Sequence, residues 1–313
     1  MEQQKIIHLL HCPWTGLGLF NGFRGNRWLK NSIQIFKQFV VPSLQSQTNK
    51  NFILWNAFRY EEKNNPIVKE LLGYLAEIKE FKSVFTFSGI CFYDDKHDDK
   101  IARERLVTSL HGSMGELLDT IGEVDYVYMT IQPSDDCYNS DMVEEVQIFL
   151  SNESVNACGY SKGYIMNYLT KEIREYNPKT NPPFYTIKFP KDIFVDPYKH
   201  CEYTGIKYNY YNTKYKLGTP LPSHEYLRDV FNGKYLTIDK RGFLVGCHGN
   251  NISTNFNIPY VGEGVDGGVL KDFGLENVEP LKLKIGLIKK IMLKLPHKVQ
   301  RKLRYWRQLI YEI

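Results

Sequence analysis

Two adjacent carboxylates, Asp135 and Asp136, stand in the stretch DYVYMTIQPSDDCYNS (125–140), just after an apolar run. Like charges side by side repel, and the one nearer the interior also loses hydration. Such a pair calls for a cation, a hydrogen-bond network or contact with water. If DYVYMTI is a central strand of a parallel sheet, the pair lies beyond its carboxyl end, where open sheets of this kind bind ligands. Paired carboxylates in that place suit Mg²⁺ or Mn²⁺, hard cations that take oxygen ligands and bridge to phosphates. Helix capping is the competing account. However, the following SDMVEEVQIFL carries its own start signals, Ser140 or Asp141 as cap and Glu144 three residues after Asp141.

Other residues have types suited to chemistry. His248 lies between glycines in GCHGNN and can reach a metal or a phosphate, or act as a hydrogen-bonded structural residue. LPSHEYLRDVF holds Glu225 and Asp229, with Ser223 placed to cap a helix and Glu225 in its first turn. A carboxylate there complements the helix dipole by about 0.3–1 kcal/mol, which accounts for it without catalysis. PWTGLGLFNGFRGN (13–26) offers Trp14, Arg24 and several glycines, in a spacing that is neither a Walker A nor a dinucleotide fingerprint.

The elements that must position these residues alternate. KIIHLLHC, NFILWNAF, SVFTFSG and DYVYMTI read as buried strands. Between them, RWLKNSIQIFKQFVVPSL has helical spacing, with Trp28, Ile33, Phe36 and Val40 on one broad face. NPIVKELLGYLAEIKEF reads as a helix capped by Asn65 with Pro66 in its first position. DKIARERLVTSLHGSMGELLDTIG reads as a further helix. This alternation predicts an α/β fold, a mostly parallel sheet flanked by helices. After about residue 155 the pattern turns loop-rich and Tyr-rich, and CGYSKGYIMNYL reads as a strand pair. We expect residues 1–270 to form one domain in two parts, 1–150 and 151–270, the second covering the carboxyl edge of the sheet, followed by a linker and basic tail over 271–313.

Charge is distributed unevenly. The net +5 of the 313 residues combines ten Lys/Arg against one acid in 281–313 with 30 Lys/Arg against 34 acids in 1–280. A mildly acidic body argues against nucleic acid as a partner. The tail, LKLKIGLIKKIMLKLPHKVQRKLRYWRQLIYEI, sets Leu281, Ile285, Ile288, Met292, Leu295, Val299, Leu303, Trp306 and Ile310 in one apolar stripe flanked by cations. Such a segment can lie on an anionic membrane surface or pack on the body. Its charges interrupt every run long enough to span a bilayer. Six scattered cysteines without a CxxC pair, and a start without a secretory pattern, point to the cytoplasm, peripheral on the inner membrane face if the tail docks there.

Several blocks in order resemble the rhamnosyltransferase-like family of GT-A-type glycosyltransferases. FNGFRGNRWLKNSIQIFKQFVVPSLQSQTNKNFILW matches its helix, Pro-Ser-Leu, Gln-Thr and following strand, and TIQPSDDCYNSDMVEEVQ lies at its aspartate-rich strand end. NPPFYTIKFP, KHCEY, SHEYL and CHGNNIST resemble later blocks, so that the likeness covers roughly residues 15–260. The resemblance implies a GT-A-like catalytic domain over 1–270, with a nucleotide-binding part over about 1–150 and an acceptor-side part over about 151–270, moving a sugar, rhamnose by the family label, from a nucleotide-sugar donor to a polysaccharide or lipid-linked glycan. It implies Asp135, Asp136 and His248 at a Mg²⁺ or Mn²⁺ site, Trp14, Arg24 and Asp135 against the donor, and Glu225 or Asp229 as the catalytic base. Pro133 stands where the family has the first Asp of its Asp-x-Asp-Asp motif. That departure leaves open a metal-free site, or an inactive glycan- or nucleotide-binding protein on the same fold.

Overall fold

The computed structural model describes residues 4–15, 26–89, 99–179, 182–204, 227–248, 256 and 261–282, with backbone alone for 89 and 99–106. Strand β1 (Ile6–Pro13) is buried along its whole middle, as expected for a near-continuous apolar run covered on both faces. Helix α1 (Asn26–Ile35) passes through a π turn (Phe36–Val40) into α2 (Val41–Gln45). The widened turn directly precedes Pro42, which lacks an N–H and whose ring crowds the carbonyl four residues back. Strand β2 (Ile53–Arg59) follows, and then α3 (Pro66–Ala76), where Asn65 accepts the Ile67 N–H at 3.0 Å as the cap read from sequence. Strand β3 (Lys82–Gly89), helix α4 (Asp99–Ile121) and strand β4 (Tyr126–Ile131) complete the first half.

β1 pairs in parallel with both β2 and β4, and β2 in parallel with β3. The register sets His11 opposite Trp55 and Ile131, and His8 opposite Tyr128. This four-stranded parallel frame is the α/β architecture read from the alternation.

The second half extends the same sheet with mostly antiparallel strands. β5 (Cys137–Tyr138) and α5 (Met142–Ser151) come first, then β6 (Ala157–Asn167), β7 (Ile173–Tyr176) and β8 (Tyr185–Pro190). The short helices α6 (Lys191–Val195), α7 (Pro197–Tyr203) and α8 (Leu227–Val230) precede β9 (Tyr235–Cys247) and β10 (Val261–Gly264). Among the described residues the sheet order is β10-β7-β6-β8-β4-β1-β2-β3, with β9 on β6 and β5 on β9. The expected strand pair at CGYSKGYIMNYL is instead the single strand β6. Its polar centre, which mimics a turn, is a half-exposed stretch where Lys162 pairs with Asp239 of β9 at 2.7 Å.

Apolar side chains fill both faces of the sheet. α1, the π turn, α3 and α5 cover one face with Leu29, Phe36, Phe39, Leu71 and Val146; α4, α6 and α7 cover the other with Leu110, Leu117, Phe194 and Cys201. The segment after residue 270 joins the first of these cores through Phe273, Leu275 and Leu281. No described helix is long and apolar enough to cross a membrane, and the rest of the basic tail, 283–313, lies outside the described residues.

Several polar groups are buried with specific partners. The Gln147 amide donates to His8 Nδ1 at 3.3 Å, so that Nε2 carries the ring proton and donates to Thr130 Oγ1 at 2.7 Å. Lys188 Nζ donates to the carbonyls of Leu150 and Asn152 at 2.8 and 3.0 Å, meeting the negative end of α5. By contrast, the fully buried His11 ring lies on Trp55 at 4.2 Å between centroids, and neither of its nitrogens has a hydrogen-bond partner among the described residues.

Burial, and secondarily the His200 charge, lowers the His11 pKa to about 3. Below the ordinary value near 6.5 the unfolded chain takes up a proton that the folded chain refuses until about pH 3. The stability tied to neutral His11 is therefore complete above 6.5 and is lost as pH falls through that window. On urea unfolding, His11→Leu should gain about 2 kcal/mol on the wild type between pH 7 and pH 5. A difference that stays constant with pH would show that the folded ring takes up its proton as readily as the unfolded chain does.

Candidate active site

The carboxyl ends of β1, β2 and β4 lie at one edge of the sheet. The Trp14 and Thr15 amides donate to the Ala57 carbonyl at 3.1 and 3.4 Å, and the Gln132 amide donates to the His11 carbonyl at 2.8 Å, so the pairing runs to the very edge. Beyond it, Gln132 shapes the turn: its Nε2 donates to the carbonyls of Pro133 and Asp136 at 2.9 and 3.0 Å. The chain then enters β5, which pairs antiparallel with Phe243 and Leu244 of β9. That pairing delivers the end of β9, Gly246 to His248, against the two aspartates.

The two carboxylates meet different partners. Asp135 Oδ2 lies 3.0 Å from His248 Nε2, with the Asp135 side chain 30% exposed and His248 2% exposed. Asp136 Oδ1 accepts the Gly246 amide N–H at 2.9 Å. Burial, and then the adjacent Asp135 charge, raises the Asp136 pKa well above the carboxylate range, against the pull of the Gly246 hydrogen bond. The like-charge problem posed by the sequence is thus met by divergence, Asp135 towards an imidazole and Asp136 towards a backbone donor.

Gly246 makes this approach possible. A Cβ at this position would lie 2.4 Å from the Asp135 carbonyl oxygen and 2.4 Å from the Tyr168 ring. Tyr168 closes the rear of the site: its hydroxyl donates to the Asp135 carbonyl at 2.9 Å, and its ring stacks on Phe39 at 3.7 Å. Lys240 pins β9 to α5 through Asp141 and Glu145, and Tyr160 donates to Glu145 at 2.7 Å. Asp141 begins α5 without a side-chain capping bond, because its carboxylate is turned towards Lys240 and Asn139.

Of the remaining candidates, Trp14 and Asp229 are among the described residues. Trp14 is buried, its ring stacked on Phe58 and edge-on to Phe36, with its N–H donated to Asn56 Oδ1 at 2.9 Å. Asp229 is exposed on α8. Glu225 and Arg24 lie outside the described residues. Neither Tyr168 nor Gly246 was among the candidates read from sequence. Gly246 had a faint signal in the glycines flanking Cys247 and His248, and Tyr168 in MNYL had none.

Among the described residues no three His, Cys, Asp or Glu side chains are grouped to hold a metal ion. The facing pair Asp135 and His248 could supply two ligands. That suffices for Mg²⁺ or Mn²⁺ when phosphate oxygens and water complete the shell, the usual mode for these cations.

No family model matches the chain, and no curated protein matches it. Among solved structures it is similar to S. aureus TarS 1–349, at 11% identity and a TM-score of 0.35, with 77% of this chain and 60% of that chain covered. The chain thus spans about three-fifths of that structure's length. The same protein in complex with UDP-GlcNAc aligns at 10% identity and a TM-score of 0.41, over 92% of this chain and 70% of that one. The apo form of mouse xyloside xylosyltransferase 1 aligns at 12% identity and a TM-score of 0.34, over 75% and 85%.

Proposed function

We propose that this chain is a glycosyltransferase that moves a sugar from a nucleotide-sugar donor to a polysaccharide or lipid-linked glycan. The observation that carries this reading is the convergence of Asp135, Asp136 and His248 at the carboxyl edge of the parallel frame, where a diphosphate can be met by a cation. The family resemblance of the sequence blocks supports it and suggests rhamnose as the sugar.

Transfer requires stabilisation of a diphosphate leaving group and removal of a proton from the acceptor hydroxyl. A bound Mg²⁺ or Mn²⁺ supplies the positive charge for the leaving group. Asp135 and His248 would hold that ion, and the Gly246 amide keeps Asp136 from swinging away. Arg24 would pair with phosphate, and Glu225, or Asp229 behind it, would take the acceptor proton. A second reading, a binding protein without turnover, is favoured by Pro133 in the ligand position and by the engagement of Asp136 Oδ1 with Gly246.

Thermal unfolding with nucleoside diphosphates, with and without Mn²⁺, tests the site directly. A ligand at a hundred times its dissociation constant adds about 2.7 kcal/mol of stability. Asp135→Asn should abolish the Mn²⁺-dependent part of that gain while keeping the fold; full retention would remove Asp135 from the site. Glu225→Gln should keep nucleotide binding and lose turnover by at least about a hundredfold. Equal loss of both would assign Glu225 to donor binding, and a wild type that binds without turnover would establish the second reading.

The tail reading has its own test. Full-length protein should co-sediment with anionic vesicles at low salt and be released as salt screens the attraction. A chain ending at residue 282 should stay folded and unbound. Unfolding of that truncation, or indifference of the full chain to the vesicles, would make the tail a packing element.

A further inference from the structure

We infer that Tyr168 is a positioning residue for the cation-binding pair, holding Asp135 and His248 at their mutual distance without touching substrate. This inference rests on the transferase reading and names the part of the fold that sets its site.

Tyr168 is fully buried and is tied to both sides of the site. Its amide donates to the carbonyl of Cys247, the residue before His248, at 2.8 Å. Its hydroxyl donates to the Asp135 carbonyl at 2.9 Å. One rigid side chain therefore spans from the strand that carries His248 to the peptide that carries Asp135. Its ring also lies near-parallel to the His248 ring, 6.0 Å between centroids.

The ring itself has little freedom. Phe39 stacks on it at 3.7 Å and 3° between planes, and Gly246 leaves no gap beside it. Phe39 belongs to the π turn, and such insertions recur near functional sites because they re-aim side chains. The Cys137 thiol lies 3.7 Å from the Tyr168 hydroxyl and donates to the Phe39 carbonyl at 3.4 Å, which joins the π turn to the aspartate loop. Behind Tyr168 the Leu281 amide donates to its carbonyl at 2.7 Å. Gln38 and Gln34 hold the same segment through the carbonyls of Glu279 and Lys282 at 2.7 and 3.2 Å.

Removing the hydroxyl would take the Tyr168 donor from the Asp135 carbonyl and loosen that peptide, letting the carboxylate shift relative to His248. Outer partners of metal ligands typically change metal affinity by about 10–100-fold. The loss should therefore appear in the cation requirement, and nucleotide binding should recover once the cation is raised.

The test uses full-length Tyr168→Phe, with UDP and dTDP as probes, each titrated with Mn²⁺ and followed by thermal unfolding. The Mn²⁺ concentration giving half of the nucleotide-dependent stabilisation should rise at least about tenfold over wild type, with the full stabilisation restored at high Mn²⁺. Phe39→Leu, which loosens the ring and leaves the hydroxyl in place, should raise it in the same direction, and decides the matter alone if Tyr168→Phe does not fold. A lowered melting temperature with an unchanged Mn²⁺ midpoint would make Tyr168 a core residue and overturn the inference. A wild type stabilised by either probe equally with and without Mn²⁺ would overturn this inference and leave a metal-free transferase standing, whereas no stabilisation by either probe at any Mn²⁺ concentration would overturn the transferase reading as well.

Discussion

The site depends on one close approach: the backbone at Gly246 passes so near Asp135 and Tyr168 that no side chain fits between them. Glycine is the residue that permits such contact. Because the strands close to this distance, Asp136 reaches a backbone N–H and Asp135 reaches an imidazole. The surrounding contacts hold the same strand in place. β6 runs beside β9 in parallel, Lys240 clamps β9 to α5, and β5 stitches β9 to the aspartate loop.

Charge is handled by the same economy throughout. A buried ionised group is costly unless it is partnered. Lys188 meets the carbonyl end of a helix, His8 stays neutral between an amide and a hydroxyl, and Asp136 is pushed towards its protonated form. Asp135 keeps 30% side-chain exposure where it meets the buried His248. One carboxylate thus faces an imidazole while its neighbour holds the backbone N–H of Gly246.

The parallel frame was legible because its signals are local. Apolar runs, helical spacing and the Asn65-Pro66 start reflect propensities and capping that act within a few residues, and the structure shows each of them. The same local logic misread β6, where a polar centre imitates a turn. It also passed over the π turn, since relief of the Pro42 clash depends on how the helix packs and not on spacing.

Sequence alone placed Asp135 and Asp136 past the end of β4 and marked His248 as a candidate beside glycines. Tertiary structure decided their partners. His248 comes from 113 residues further along the chain and Gly246 from 110 residues after Asp136. No local pattern encodes contacts at that range. They arise when two strands, each shaped by its own core, are brought to a separation that only a glycine tolerates. Trp14 shows the converse. The family resemblance set it against the donor, but Phe36, Phe58 and Asn56 close round it because the packed core buries an indole more favourably than water solvates it.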